Sequence, residues 1–449
     1  MLKSASTELC WPALIDPRAA TVYGFLSQLQ QSQWAKPVQL RRLQARQLAR
    51  RLQHAAANSA HFSPLLAGLK ISPASAFDCL QALPLLTRRQ LQGGAQTLFS
   101  AVPAEHGKVG VNKTSGSTGE PVKVKCTQLA YGLRAAVNLR GHLWHKVDFD
   151  KPFAAIRGEI SGPDGAKQDA LPNWGGVTAM LFTSGPSSAL DIATALPQQK
   201  AWLERVRPAT LLTYPSNLRA LADLIEHPWP ELEHLLMMGE TLPADLRAQL
   251  AAQWQVPIHD KYSSEELGPV GIECEQGRYH CPEHLLVEVL DDAGAPCKIG
   301  QMGRLVVTDS YNFATDLIRY DTGDYAEPAA PCPCGRGLGL LGRILGRSRN
   351  LITLPDGRRF YPTFGLRNFG ELAPYRQFQL IQTALDSLTL RLVLDRPLRA
   401  DEQAAIVARI CEQVAYPMQV AIEVVQGSLS ERAGAKFEEF KSLVGGADA

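Results

Sequence analysis

The pattern of apolar and polar positions changes character several times along the chain. Over residues 37–57, Leu40, Leu43, Leu48 and Leu52 recur near a 3.6-residue period. Arg41, Arg42, Arg46, Arg50 and Arg51 fall mostly on the other side, which predicts an amphipathic helix with a solvated basic face. Residues 83–88 read as a strand end leading into a capped helix, and residues 130–144 return to helical spacing. His142 and His145, three apart on that helix, read as surface or core histidines, since no third ligand lies near them. Residues 164–176 are rich in Gly, Pro, Asp and Asn and predict a long loop. Between residues 209 and 266, short apolar runs alternate with amphipathic stretches. Strands are expected at 210–213, 235–238 and 257–260 and helices at 216–226 and 243–254, which make a βαβαβ unit with a parallel sheet.

Beyond that unit the period drops to two. Residues 285–290 and 303–308, separated by Asp291-Asp292-Ala293-Gly294, predict an antiparallel region. After Gly346-Arg347 the chain alternates strands (377–384, 388–394, 419–425) with one helix (401–416). The expected fold is therefore α/β: a large N-terminal domain, residues 1–347, with βαβ sheets and an antiparallel β region, plus a small α+β C-terminal domain, residues 348–449.

Composition narrows the functional classes. The chain has 449 residues, 45% of them apolar and 20% charged, enough for two domains and a large core. A net charge of +2 gives no electrostatic case for nucleic acid or an anionic membrane as partner. No run of 18 apolar residues occurs, and the first residues lack a signal-peptide pattern, so a cytoplasmic protein without an anchor is expected. Nine cysteines, an odd number spread over a long chain, argue for reduced thiols rather than a disulfide framework.

The stretch with the most chemistry is Lys113-Thr114-Ser115-Gly116-Ser117-Thr118-Gly119-Glu120-Pro121. Its glycines let backbone N–H groups turn toward a ligand, and its hydroxyls add neutral donors, a combination suited to polyphosphate oxygens. It is not a Walker A loop. Further polar clusters follow the expected strand ends, Gly239-Glu240-Thr241 and Tyr262-Ser263-Ser264-Glu265-Glu266, where ligands of open α/β sheets bind. Trp174, Gly175, Gly176, Tyr214 and Met238 are placed in the substrate pocket by their position near strand ends. Gly337-Leu338-Gly339-Leu340-Leu341-Gly342 satisfies a dinucleotide pattern but follows a Cys-Pro-Cys turn with no strand before it, and is set aside.

Taken in order, residues 114–121, Gly239-Glu240, Tyr262 to Glu266, Arg319-Tyr320-Asp321-Thr322-Gly323-Asp324 and Gly346-Arg347 resemble the adenylate-forming enzymes, in particular their phenylacetate-CoA ligase-like branch. The resemblance implies a carboxylic acid ligase that forms an acyl-adenylate from ATP and magnesium and passes the acyl group to an acceptor. Coenzyme A is the acceptor it suggests, with an amine or a carrier protein as alternatives, and a homodimer is compatible with it. It implies that Thr114, Ser115, Gly116, Ser117, Thr118 and Gly119 hold phosphates and that Glu266 binds magnesium. It further implies that Asp324 takes the ribose hydroxyls with help from Arg347, and that Gly239, Glu240, Tyr262 and Ser263 border the nucleotide. Lys436, in Gly434-Ala435-Lys436-Phe437, takes the place of the lysine that bridges carboxylate and α-phosphate. Arg349 stands where the family commonly has an acid at the hinge.

Cys274, His280, Cys332 and Cys334 offer three thiolates and an imidazole, a structural zinc set, with Cys281 and His284 as alternative ligands.

Overall fold

The computed structural model describes residues 1–113, 122–158, 160, 168–347, 351–360, 372–373, 375–394, 396–427, 429 and 440–444. Five helices come first: α1 (Ala20–Ser32), α2 (Pro37–Asn58), α3 (Phe62–Leu66), α4 (Ala76–Gln81) and α5 (Arg88–Gly93). A hairpin follows, β1 (Val109–Lys113) and β2 (Lys123–Thr127), then the long α6 (Gln128–Trp144). Thr87 caps α5 and Thr127 caps α6, each hydroxyl accepting a backbone N–H of the first turn.

Helix α2 departs from its predicted amphipathicity at two places. Arg51 is fully buried, ion-paired to Asp316 at 2.7 Å and donating to the carbonyls of Asp309 and Thr315. Leu43 is 55% exposed. Arg51 alone of the five arginines is buried, where it meets residues 309–316, and the other four are exposed.

The parallel sheet has six strands: β3 (Phe153–Arg157), β4 (Gln168–Leu171), β5 (Ser187–Asp191), β6 (Thr210–Thr213), β7 (His234–Met237) and β8 (Ile258–His259). Their spatial order is β4-β5-β3-β6-β7-β8, and only β4 runs antiparallel. Helices α7 (Gly176–Leu181), α8 (Leu196–Val206), α9 (Pro215–Ala222) and α10 (Ala244–Gln253) complete this unit. Leu203, Leu211, Leu218, Leu235, Met237 and Leu246 close one face of the sheet with α8, α9 and α10. The expected βαβαβ unit is present, with α9 stopping at Ala222, four residues short of the predicted end. Residues 164–176 are not one loop, because β4 occupies Gln168–Leu171 and α7 starts at Gly176.

Seven strands form a second, antiparallel sheet: β9 (Lys261–Ser264), β10 (Gly268–Glu273), β11 (Tyr279–Cys281), β12 (Leu285–Leu290), β13 (Gly303–Asp309), β14 (Tyr320–Pro328) and β15 (Gly339–Arg347). The order is β12-β13-β14-β15-β11-β10-β9, with register shifts in β10, β13 and β14. Residues 339–347 are therefore strand, and the Gly-x-Gly-x-x-Gly pattern has no nucleotide-binding turn. Past the second sheet come β16 (Ile352–Thr353) and β17 (Arg359–Phe360), then β18 (Tyr375–Ala384), β19 (Ser387–Leu394), α11 (Ala400–Val414), β20 (Gln419–Val424) and β21 (Phe440–Ser442). This last sheet, β20-β19-β18-β21, packs Leu380, Leu390 and Phe378 against Ile406, Ile410 and Val414 of α11. Ile352 and Leu354 join that core, and the buried Gln382 amide exchanges hydrogen bonds with the Thr353 backbone.

His142 is half-buried, edge-on to Phe149 and Trp174. His145 stacks on His259 at 3.7 Å, and His259 shares a 3.0 Å hydrogen bond with His234. Burial, then the neighbouring cations Lys261 and imidazoles, push His142 down to about 3, and burial with the adjacent histidines pushes His259 down to about 2. An unfolded chain takes up these protons near pH 6.5, whereas the folded chain does not. The stability that neutral imidazoles contribute is thus complete above about pH 6.5 and is lost as the pH falls toward 3, with a limiting slope of about 1.4 kcal/mol per pH unit for each such group. Denaturant unfolding at pH 7.5, 6 and 5 should show falling stability, with a shallower slope in His259→Gln. Removing one partner of the buried Arg51–Asp316 pair leaves an uncompensated charge, so Arg51→Met should cost about 3–5 kcal/mol in the unfolding of the large domain.

Candidate functional site

Four separated segments converge at the turn between β9 and β10. Glu266, 4% exposed, accepts from Arg88 at 2.8 Å and from the Tyr320 hydroxyl at 3.4 Å, both on Oε1. Arg134 of α6 donates to the Glu266 carbonyl at 2.8 Å and pairs with Asp309. Gly268 makes room for it, since a Cβ there would sit 2.7 Å from the Arg134 side chain. Asn112, at the end of β1, donates to the Glu265 carbonyl at 3.2 Å. The point where the chain enters residues 114–121 therefore lies beside Glu266.

The second anchor is Asp324. Gly323, at φ +77°, turns the chain so that Asp324 N–H reaches the Thr322 hydroxyl and Gly323 N–H reaches Asp321. The Tyr262 hydroxyl donates to Asp324 Oδ2 at 2.5 Å. Burial, then the Asp324 carboxylate, hold the Tyr262 phenol well above its ordinary range, so it remains a donor. Arg347 is opposite Asp324 in the β14–β15 register. Ser263 is exposed next to Tyr262.

At the parallel sheet, Met238 and Gly239 (φ +73°) follow the carboxyl end of β7, and Tyr214 follows that of β6. The Glu240 carboxylate accepts the Ser216 N–H and hydroxyl, both at 2.9 Å, so it braces the start of α9. Trp174 and Gly175 do not share a pocket with Tyr214. Trp174 stacks on Phe153, the first residue of β3, and its indole N–H bonds to the Lys151 carbonyl, which places it at the amino edge of the sheet. Gly176 opens α7 from the same edge. The antiparallel direction of β4 carries the chain to that edge, a reversal that composition did not disclose.

Cys274, His280, Cys332 and Cys334 bring their ligand atoms within 4.8 Å of one another. Cys274 and Cys332 sulfurs are 3.7 Å apart, against about 3.8 Å for two thiolates at ~2.3 Å from a tetrahedral zinc. Cys334 Sγ is 3.3 Å from His280 Nε2. Burial and then Arg336 push His280 down to about 4, which keeps the imidazole neutral, as a ligand must be. Arg336 lies beside the cluster, held by Glu275 at 2.8 Å and stacked on Trp144. Cys281 is not a ligand: adjacent strand residues face opposite ways, and its thiol is buried in the main core. His284 lies outside the cluster as well, facing Asp309 and Arg134.

No family model matches the chain. Among curated proteins it is 27% identical over 385 residues to a phenylacetate-coenzyme A ligase of Thermus thermophilus, covering 80% of this chain and 82% of that one. The fold is that of 2-hydroxyisobutyryl-CoA ligase in its postadenylation state with an acyl-adenylate (TM-score 0.69, 18% identity, 89% of this chain and 88% of that one). It is shared with the anthranilate CoA ligase AuaEII bound to anthranoyl-AMP (TM-score 0.56, 16% identity, 72% and 64%). The chain thus resembles a phenylacetate-coenzyme A ligase in sequence and shares its fold with acid-CoA ligases.

Thr114, Ser115, Gly116, Ser117, Thr118, Gly119 and Lys436 lie outside the described residues. Glu266, Tyr262 and Asp324 come together, linked through Tyr320 and the β14 backbone. Arg88 and Arg134 were missed. Arg88 carried one sequence signal, its place at the first position of a Thr-capped helix directly after an apolar strand end. Arg134 carried none, because it sits on a helix whose spacing is fully explained by packing.

Proposed function

We propose that the protein is an ATP-dependent carboxylic acid ligase. In the first half-reaction a carboxylate oxygen attacks the α-phosphorus of ATP, the bond to the β-phosphate breaks and pyrophosphate leaves. In the second, the thiol of coenzyme A attacks the acyl carbon and AMP leaves. The reading rests above all on the convergence of Asn112, Glu266 and Asp324, from three distant stretches, on one side of the curved sheet. Each has a task. Asp324, oriented by Tyr262, suits two adjacent ribose hydroxyls, which a carboxylate accepts together. Residues 114–119 are assigned to the phosphates, and Arg88 is positioned to meet the same charge once Glu266 turns to a cation. Magnesium, a hard ion suited to Glu266 plus phosphate oxygens, would neutralise charge on the departing pyrophosphate. Lys436 is assigned to bridging the acid and the α-phosphate.

Zinc is proposed for the Cys274, His280, Cys332 and Cys334 cluster, where it would fasten the β14–β15 connection to the β10–β11 hairpin. Free cysteines at all nine positions fit a reducing, cytoplasmic setting.

ATP–pyrophosphate exchange driven by a panel of carboxylic acids tests the reading, with products scored as CoA thioester against hydroxamate or carrier-bound acyl. Exchange followed by thioester formation is expected. Thioester absent but amide or carrier acylation present would move the acceptor, and no exchange with any acid would leave a nucleotide-binding protein without turnover. Lys436→Ala should lower the exchange rate by a factor of about 100 or more, as loss of one donor to a developing charge does. Purified protein should carry about one zinc per chain by elemental analysis, and Cys332→Ser should lower both zinc content and the thermal midpoint.

A further inference from the structure

The parallel sheet holds one cation that nothing assigned so far uses. Arg157 is the last residue of β3, the central strand from which the sheet winds outward in both directions, through β5 on one side and β6, β7 and β8 on the other. In open α/β sheets the crevice at the carboxyl ends beside such a reversal is where ligands bind.

Register places Arg157 in a row. Ala155 pairs with Leu212 and Leu212 with Leu236, so two residues further on Arg157 stands abreast of Tyr214, and Tyr214 abreast of Met238. Ala154, Ile156, Leu211, Leu235 and Met237 all point into the core shared with α8, α9 and α10. By the two-residue alternation, Arg157, Tyr214 and Met238 lie on the other face. Tyr214 keeps an extended backbone, and its hydroxyl accepts the Gly158 N–H at 3.4 Å, so it leans toward the end of β3.

Among the described residues Arg157 has no ion pair. Its neighbour in register, Asp191, is engaged elsewhere, accepting the Ala193 N–H at 2.8 Å and the Ile160 N–H at 3.2 Å. The guanidinium is exposed at the sheet edge while the acid next to it closes its own turn.

Resting on the ligase reading, we infer that Arg157 pairs with a second anionic group on the substrate, at the end remote from the carboxylate that is activated. The nucleotide side of the site lies toward Gly239 and Tyr262, on β7 and β9. Arg157 is two strand spacings from β7, about 10 Å, and so meets the far end of an acid whose reacting carboxylate is beside the α-phosphate. The same residue selects against simple acids. An apolar tail laid over the guanidinium would strip its water without replacing it, and such unpaired burial is penalised more heavily than a missing apolar contact. The substrate class is a dicarboxylic acid, or a carboxylic acid with another oxyanion, spanning that distance.

The experiment compares kcat/KM in acid-dependent ATP–pyrophosphate exchange for hexanoate against adipate and phenylacetate against 4-carboxyphenylacetate, in the native protein, Arg157→Lys and Arg157→Leu. A charge-assisted pair predicts a preference for the second carboxylate of about ten-fold or more in the native protein. The direction should be kept in Arg157→Lys, and the ratio should collapse or invert in Arg157→Leu. A native ratio at or below one for both pairs overturns the inference without any variant having to fold. An unchanged ratio in Arg157→Leu overturns it too. Monoacids that exchange well would leave the ligase reading standing, whereas absence of exchange with every acid would remove both.

Discussion

The candidate nucleotide site depends on curvature of the antiparallel sheet. Strands β9 and β14 are four places apart in the order β14-β15-β11-β10-β9. In a flat sheet that separation is about 19 Å. Yet the Tyr262 hydroxyl on β9 lies 2.5 Å from the Asp324 carboxylate on β14. The sheet must therefore curl until its edge returns toward its middle. Register shifts at Pro269/Gly271 in β10, at Arg304/Val306 in β13 and along β14 supply the bend, as bulges do elsewhere. Beside that bend Glu266 pairs with Arg88 and Asp309 with Arg134. Of the clustered Cys and His residues, His280 lies on β11, Cys274 follows β10, and Cys332 and Cys334 lie in the β14–β15 connection.

This dependence explains what was legible in the sequence. Strands and helices of the parallel unit followed from period and turn residues, because Leu211, Leu235 and Leu246 bury by local alternation that any window displays. The C-terminal strands and helix followed for the same reason. The pairing of Tyr262 with Asp324 did not, since it depends on accumulated twist over five strands and not on any local spacing. The resemblance supplied the two residues as members of one site, and the fold supplied the hydrogen bond between them. Arg51 and Trp174 show the opposite limit. A basic helical face reads as solvated unless the buried acid it meets, Asp316, is known, and a Gly-rich approach reads as pocket lining unless strand direction is known.

The row of Arg157, Tyr214 and Met238 and the group of Tyr262, Glu266 and Asp324 are built on different sheets, which a single residue joins along the chain. Strand β8 closes the parallel sheet at His259 and β9 opens the curved one at Lys261, with only Asp260 between them. That residue is held from several sides. Its carboxylate accepts the Tyr279 hydroxyl at 2.5 Å and the Lys261 N–H at 2.8 Å, and its own N–H donates to Glu273, which is in turn paired with Arg247 of α10 at 2.8 Å. Such a satisfied buried network is rigid, because each member left unpaired would be costly. In-line attack on an α-phosphate tolerates little error in position, and a shift of about 1 Å between reacting atoms can cost a factor near 100 in rate. The Asp260 junction fixes the point where the chain passes from the sheet carrying Arg157, Tyr214 and Met238 to the segment carrying Tyr262 and Glu266. Glu273 is also the residue before Cys274, so the metal-type cluster and the junction share a strand end. Order imposed at the cluster is carried, through β10, to the point where the two halves of the site are joined.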